Sequence, residues 1–203
     1  MKNIAVLVSG GGTNLQALID AQKNGEIKNG RISLVVSNKP SAYALSRADA
    51  AGIETVIAEK TSADYGRVLT EILHNHNIDL VVLAGFMVIL SSDFISAFRG
   101  RIINVHPSLI PSFCGDGFYG LKVHEKALEY GVKVTGATVH FVNEVTDGGE
   151  IILQKAVEVI EGDTAETLQK RVMEEAEWKL LPKAVSLFCE DKLEICGRRV
   201  IIK

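Results

Sequence analysis

Two polar residues interrupt an apolar stretch of this sequence and could carry out acid–base chemistry. Asn104 and His106 lie at alternate positions of "IINVHPSLIP", residues 102–111. Alternate residues of a β-strand share one face, so the amide and the imidazole would project side by side. An Asn amide can donate to a developing oxyanion, and a His can transfer a proton near neutral pH. The pair suits acyl-type transfer without a covalent intermediate, although spacing alone fits a hydrogen-bonded core pair equally well.

A carboxylate that could serve the imidazole follows in "TDGG", where Asp147 lies in a predicted turn. Beside His106 it would raise the pKa of the imidazole and fix its tautomer. His140 alternates within a later predicted strand and could face the same site or the core, whereas His124 follows the surface pattern of a helix. No spacing of His, Cys and Asp resembles a metal site, so we expect no metal.

The segment "SGGGTN", residues 9–14, lies between a predicted first strand and first helix, where open α/β sheets bind ligands. Its glycines permit a sharp turn with bare N–H groups, and the helix N-terminus adds unpaired N–H groups that favour a phosphate. Leu15 replaces the third glycine of a dinucleotide fingerprint, Ser37 and Asn38 stand where that motif needs an acid, and no Gly-Lys-Ser/Thr is present. We therefore expect a phosphate monoester such as a sugar phosphate rather than NAD or ATP; a tight turn without a ligand is the alternative.

The elements that must position these residues alternate in type over the first half of the chain. Apolar runs typical of strands buried on both faces alternate with helical patterns, which indicates a parallel sheet covered on both sides. The predicted strands are 2–9, 31–37, 53–58, 78–86 and 102–106, and the predicted helices are 14–24, 41–51, 63–77 and 91–99. This half resembles a nucleotide-binding Rossmann-like unit.

The second half has a β-richer pattern. A glycine-rich loop at 112–120 and a helix at 122–130 precede two longer strands, at 132–142 and 150–159. The long helical segment at 164–191 contains Pro182, where we expect a kink or break, and two short strands surround Gly197. We predict an α/β fold with an open, mostly parallel twisted sheet flanked by helices, in a single domain over residues 1–203 with halves at 1–105 and 106–203.

Composition restricts the function classes. Hydrophobic residues make up 47% and charged residues 23% of the chain, a balance typical of globular rather than disordered proteins. The net charge of −3 without a dense basic cluster argues against nucleic-acid or anionic-membrane binding. No apolar run approaches a membrane span, and the N-terminal run continues into the glycine loop, unlike a signal peptide. The irregularly spaced Cys114, Cys189 and Cys196 fit reduced thiols in a cytoplasmic protein.

Five segments that follow one another over nearly the whole chain resemble one family. They are "SGGGTNLQALID", "VVLAGFMVIL", "INVHPSLIPSF", "ATVHFVNEVTDGGEIILQ" and "GDTAETLQKRVMEEAEWKLLP". The combination is similar to the glycinamide ribonucleotide formyltransferases of purine biosynthesis, within the formyltransferase superfamily. The resemblance implies direct transfer of the formyl group of 10-formyltetrahydrofolate to the amino group of glycinamide ribonucleotide, through a tetrahedral intermediate and without metal. It also implies small-molecule partners only, in a cytoplasmic monomer or homodimer.

The resemblance further implies roles for individual residues. Asn104, His106 and Asp147 fall on the catalytic trio, in which Asn104 and protonated His106 stabilise the oxyanion and Asp147 supports the imidazolium. The residues implied for substrate phosphate and ribose are Gly12, Thr13, Asn14, Glu174 and Glu177, with a one-residue insertion in the helix of the two acids. Those implied for folate are Met87, Val88, Ile89, Leu90 and Asn104, with His140 as possible support. We assign phosphate binding to the half 1–105 and folate binding and catalysis to the half 106–203, although Met87–Leu90 and Asn104 precede residue 106 and the two acids follow it.

Three departures from the family pattern bear on these roles. Val88 replaces a basic residue after the Met of "GFM", and a basic folate-contacting residue expected near Ser62 is missing. The loop at 112–120 is longer than the commonest form, and we expect it to be a mobile lid.

Other functions compete with this interpretation. A formyltetrahydrofolate hydrolase or a methionyl-tRNA formyltransferase would share the motifs, but each usually carries a further domain that we do not recognise in these residues. A catalytically silent nucleotide-sugar binding protein would make Asn104 and His106 dispensable, and the complete trio argues against it.

Overall fold

The computed structural model describes residues 1–60 and 64–203. The strands are β1 Lys2–Val8, β2 Gly30–Ser37, β3 Glu54–Ile57, β4 Leu80–Leu83, β5 Ile102–His106, β6 Val134–Phe141, β7 Ile151–Glu158, β8 Leu193–Cys196 and β9 Arg199–Ile202. The helices are α1 Thr13–Lys23, α2 Tyr43–Ala50, α3 Tyr65–Asn75, α4 Ser92–Ala97, α5 Leu121–Tyr130, α6 Ala165–Val172 and α7 Trp178–Cys189, with a π-helical turn Met173–Glu177 before α7. The predicted start of α3 at position 63 lies outside the described residues.

The strands of the described chain form one sheet in the order β3-β2-β1-β4-β5-β6-β7-β9-β8. Strands β1 to β5 pair in parallel, whereas β6 is antiparallel to both β5 and β7. The predicted open, mostly parallel α/β sheet with a β-richer C-terminal part is therefore confirmed. The strand order reverses at β1, which lies between β2 and β4, and open sheets bind ligands at the carboxyl ends of the strands beside such a reversal.

Two apolar layers cover the two faces of the sheet. On one face α1, α2, α6 and α7 form a core with the sheet, in which Leu18, Val185 and Val6 are fully buried. On the other face α3 and α4 form a second core with the sheet, to which Leu7 of β1 and Leu69 of α3 belong. Because Val6 and Leu7 are neighbours that point to opposite faces, β1 must be apolar throughout, which is the pattern of a strand buried on both sides.

Strand β4 and the long C-terminal helical segment differ most from the sequence-based prediction. Strand β4 is shorter than the predicted 78–86 because Gly85 adopts a left-handed conformation, with φ +69°, that no strand continues through. The long helical segment is interrupted by the π-helical turn, where the Trp178 N–H bonds Met173 O, and not at Pro182. Helix α7 continues through Pro182, so the break is wrong, and the kink that was the other form of this expectation stays a prediction.

No helix in residues 1–60 and 64–203 combines the length and the apolarity needed to cross a bilayer.

Candidate active site

Strands β5 and β6 hold three of the predicted site residues side by side. In their antiparallel pairing Asn104 lies opposite His140, and His106 lies opposite Thr138. The Asn104 Nδ2 is 3.2 Å from His140 Nε2, while His140 Nδ1 donates to Phe141 O at 2.7 Å. That second bond assigns the proton of neutral His140 to Nδ1, so Nε2 can accept from the amide. His140 therefore orients the amide group of Asn104.

Asp147 reaches the same point from the turn between β6 and β7. Its Oδ2 is 3.5 Å from His106 Nδ1, and its Oδ1 is 3.7 Å from His140 Nε2. Asp147 has a φ of +52°, in the left-handed region that Asp tolerates better than most residues. A Cβ on Gly149 would lie 1.7 Å from Phe141 O, so only glycine fits there. The "DGG" sequence thus builds the turn that carries the carboxylate.

The loop after β5 contacts this cluster through its backbone, which the sequence did not predict. His106 Nε2–H donates to Phe113 O at 2.9 Å, and the Gly115 N–H donates to Asp147 Oδ2 at 2.9 Å. Neutral His106 therefore carries its proton on Nε2 and turns a bare Nδ1 toward Asp147. Contacts made by backbone groups cannot be predicted from residue types. The glycine content of 112–120 was the only sequence feature that pointed to this loop. The mobility of that loop stays a prediction.

Burial decides the charge state of the imidazole. It lowers the pKa of His106, and neither the Asp147 carboxylate nor the Phe113 carbonyl outweighs it. The Asp147 carboxylate does raise the pKa of His106, as expected, but burial has the larger effect and the net shift is downward. Burial also opposes ionisation of Asp147, but His140, His106 and the Gly115 N–H outweigh it and hold the pKa of the carboxyl below its usual range. The resting pair is a neutral imidazole beside a carboxylate.

His124 is a second feature that the sequence pattern placed wrongly. It lies on α5 with no exposed surface, and neither of its ring nitrogens has a hydrogen-bond partner among the described residues. Burial, together with the charge of protonated His106, lowers its pKa to about 4. The surface position expected from the helix pattern is wrong because His124 lies on the buried face of α5, with Val123 and Ala127, where the helix packs against α6.

The glycine loop precedes α1 and presents the N-terminus of that helix. Gly12 is the N-cap, with φ +72° and ψ +34°, and a Cβ there would lie 2.6 Å from the Cβ of Ala44. Both conformation and space therefore require glycine. Thr13 and Asn14 occupy the first turn, whose N–H groups have no partners within a helix. These residues lie where an anion would meet free donors and the positive end of the helix dipole.

Of the two acids predicted near this loop, the structure brings only Glu177 to it. The Asn14 Nδ2 donates to Glu177 Oε2 at 2.7 Å in a buried contact. Burial raises the pKa of Glu177 to about 7, against the opposing hydrogen bond from Asn14. Glu174 is exposed, and its carboxylate is 3.8 Å from Lys170 Nζ. A π-helical turn contains about one residue more than an α-helical turn. The side chains of Glu174 and Glu177 therefore point in different directions, one to solvent and one to the glycine loop.

The four residues predicted on the folate side follow β4. Met87 and Ile89 are 51% and 78% exposed, which leaves apolar side chains facing solvent. Val88 and Leu90 pack against the apolar layer of α3 and α4. The Met87 N–H donates to Ser9 Oγ at 2.8 Å and so joins this segment to the start of the glycine loop. The position near Ser62, where the family pattern has a basic residue, lies outside the described residues.

Metal ligation and disulfide bonding are not seen in the part of the chain that the structure describes. It contains no group of three or more His, Cys, Asp or Glu side chains arranged to hold a metal ion. Its three cysteines are free thiols.

The chain has close relatives among known proteins. Residues 2–185 match the formyl transferase family model. The chain is 43% identical to phosphoribosylglycinamide formyltransferase of Escherichia coli K12. The 197 aligned residues make up 95% of this chain and 90% of that protein. It is 44% identical over 196 residues, 95% of its length, to the human trifunctional purine biosynthetic protein adenosine-3, of which it spans only 19%.

A solved structure extends the match to the fold. The crystal structure of glycinamide ribonucleotide transformylase 1 from Symbiobacterium toebii has a TM-score of 0.93 and 45% sequence identity, over 100% of this chain and 94% of that one. Family motifs, sheet topology and overall fold therefore agree. The chain belongs to the formyl transferase family.

Proposed function

We propose that this chain transfers the formyl group of 10-formyltetrahydrofolate to the amino group of glycinamide ribonucleotide, a step of purine biosynthesis. The observation that carries the proposal is the convergence of Asn104 and His106, from strand β5, with Asp147, from the turn between β6 and β7. The choice of substrates is supported by the names of the Escherichia coli and Symbiobacterium toebii relatives.

The first step is attack of the substrate amine on the formyl carbon, which moves negative charge onto the formyl oxygen. Asn104 Nδ2 and His106 Nε2 are donors that can stabilise this oxyanion. The His106 Nε2–H donates to the carbonyl oxygen of Phe113. The formyl oxygen would replace that carbonyl as acceptor, so the exchange needs no change of tautomer.

The second step is a proton transfer that lets the tetrahedral intermediate collapse. Attack leaves a positive charge on the amine, whose proton passes, through a site water, to N10 of the departing folate. His106 Nδ1 can hold positive charge during this transfer because the Asp147 carboxylate lies 3.5 Å away. Cleavage of the bond between the formyl carbon and N10 then releases tetrahydrofolate and the formylated amine.

Substrate binding uses the backbone around the trio. The N–H groups of Gly12, Thr13 and Asn14 would bind the phosphate, and Glu177 with Asn14 the ribose. The Asn14 Oδ1 is buried and has no hydrogen-bond partner among the described residues, so it can accept from a ribose hydroxyl. Glu174 would contact the substrate only at the outer rim. On the folate side, the proposed contacts are the main chain and apolar groups of Met87, Val88, Ile89 and Leu90.

The proposal includes the organisation of the chain. We infer one domain over 1–203, in which 1–105 supplies the phosphate loop and 106–203 most catalytic groups, and the buried contact of Asn14 with Glu177 joins the two. We further infer a cytoplasmic monomer or homodimer without nucleic-acid or membrane partners, supported by the net charge of −3 and the free thiols.

One assay tests the reaction. Purified protein is incubated with 10-formyltetrahydrofolate, with and without glycinamide ribonucleotide, and both tetrahydrofolate and the formylated ribonucleotide are measured. We expect stoichiometric formation of both products only when the amine is present. Folate turnover without the amine would indicate a hydrolase instead, and no turnover in either sample would contradict the enzyme assignment.

A further inference from the structure

The glycine loop is held from outside by α2, a helix that has no role in the function proposed above. The Ala44 N–H, in the first turn of α2, donates to Gly10 O at 3.0 Å. Arg47 Nε–H, one turn later, donates to Gly11 O at 2.8 Å. Ala44 also packs against Gly12, where no Cβ would fit. Two successive loop carbonyls are thus bound by one helix.

The Arg47 guanidinium is itself fixed by two further contacts. Its Nη1 donates to Gln16 Oε1 on α1 at 3.0 Å, and its centre lies 5.0 Å from the ring centroid of Tyr43. The planar fork of Arg presents its N–H groups in fixed directions, unlike the mobile ammonium of Lys. Arg47 therefore joins α1, α2 and the glycine loop in one defined arrangement.

This arrangement matters because a phosphate site needs N–H groups that face the anion and carbonyl oxygens that face away from it. In a trans peptide the C=O and the following N–H point in opposite directions. Binding of Gly10 O and Gly11 O by α2 therefore turns the N–H groups of Gly11 and Gly12 away from α2. If the Gly11 peptide rotated, its carbonyl would replace a donor beside the anion.

We propose that Arg47 is a positioning residue for the phosphate of the substrate: it holds the Gly11–Gly12 peptide in the orientation that binds an anion, without contacting the anion itself. This inference rests on the proposed function, because it takes the glycine loop as the phosphate site. The role is specific to the phosphate, since Arg47 contacts neither the trio nor the segment after β4 in the described structure.

The test compares a ligand that has the phosphate with one that lacks it. Calorimetric titration with glycinamide ribonucleotide and with glycinamide riboside is carried out on wild type, Arg47→Gln and, as control, the surface variant Arg67→Gln. We expect Arg47→Gln to weaken ribonucleotide binding about tenfold, the scale of one hydrogen bond to a charged donor, and to leave riboside binding unchanged. KM for the ribonucleotide should rise by about the same factor, while kcat stays within about twofold.

Several results would overturn the inference. They are an equal loss for both ligands, no loss for either, or a loss that disappears in ~1 M salt, where the Debye length of ~3 Å screens a general effect of positive charge. Thermal unfolding verifies that Arg47→Gln is folded; if it is not, Arg47→Lys replaces it, with an expected loss of about threefold for the ribonucleotide alone. The inference fails if that variant matches wild type.

Failure of the proposed function can be told apart from failure of this inference. If wild type does not formylate glycinamide ribonucleotide, the proposed function is wrong. The role of Arg47 is then measured with ribose 5-phosphate against ribose as probes. Loss of the preference for the phosphorylated sugar in Arg47→Gln supports the role, and an unchanged preference rejects it.

Discussion

The glycine loop and the side-chain cluster around His106 are built in different ways. The loop is held by its backbone: α2 binds the carbonyls of Gly10 and Gly11, and Gly12 packs against α2 without room for a Cβ. The cluster consists of side chains: Asn104 pairs with His140, 36 positions away in sequence, and His106 and Asp147 also bond the backbone of the loop after β5. A backbone site should be sensitive to any added atom, whereas a side-chain cluster should be sensitive to the loss of a single charge.

The two regions also titrate with opposite sign. Burial raises the pKa of Glu177, beside the loop, from 4.5 to about 7, so the folded state binds more protons than the unfolded state between those values. Its stabilising contribution is present below pH 4.5 and is lost as pH rises through 7. Burial lowers the pKa of His124, beneath the cluster, from 6.5 to about 4, so its contribution is present above pH 6.5 and is lost on acidification.

The largest expected effect is on the cluster. Asp147→Asn keeps the shape of the side chain but removes the charge that supports protonated His106, and we expect kcat to fall at least ~10²-fold, as for His106→Ala. The control is Glu144→Gln, in the same turn, where an exposed carboxylate pairs with Arg99. Steady-state kinetics near neutral pH measure the change. Rates close to wild type in both cluster variants would remove the two residues from the mechanism.

An added methyl group should damage the loop in a different manner. Gly12→Ala brings a Cβ within 2.6 Å of Ala44, and we expect ribonucleotide affinity to fall about tenfold or more and unfolding free energy to drop by about 2 kcal/mol. Gly25→Ala is the matched control, because Gly25 has the same φ of +72° and a Cβ added there would have no atom within 4 Å. If both variants lost affinity equally, close packing against α2 would not be the cause.

Acidification should lower the unfolding free energy through the buried imidazole of His124. Between pH 7 and pH 5 its titration is expected to remove about 2 kcal/mol of unfolding free energy, given a folded pKa of about 4. His124→Leu should lose this part of the pH dependence, whereas the exposed control His74→Gln should keep it. Urea unfolding at several pH values measures the difference from wild type. An unchanged pH profile in His124→Leu would show that the buried imidazole is not responsible.

The smallest effect should come from Glu177→Gln. At about pH 4 the carboxyl is mostly neutral in both the folded and the unfolded state, so replacement by an amide should change unfolding free energy by less than about 1 kcal/mol. As pH rises to 7 the wild type should lose stability relative to the variant, opposite to the trend for His124. A variant that loses stability relative to wild type over that interval would contradict the raised pKa.

Sequence reasoning succeeded where a feature depends on near neighbours. Alternation of apolar runs and helical patterns predicted the sheet and its covering layers, and period two put Asn104 and His106 on one face. It placed the helix break at Pro182, whereas the α-helical bonding changes earlier, in the π-helical turn at 173–177. It also failed at His124, because which side of α5 is enclosed depends on distant segments.

By itself the sequence determined the type of fold, the glycine loop and the chemical identity of the trio, since strand periodicity, glycine conformation and side-chain chemistry are local properties. Only the tertiary structure decided that the Asp147 carboxylate lies beside the His106 imidazole and that Phe113 O accepts a hydrogen bond from its Nε2–H. It also decided that burial outweighs the carboxylate in setting the pKa of His106. The same holds for the binding of loop carbonyls by Arg47. The physical reason is that desolvation and hydrogen-bond geometry depend on atoms far apart in the chain, which meet only when the sheet is complete.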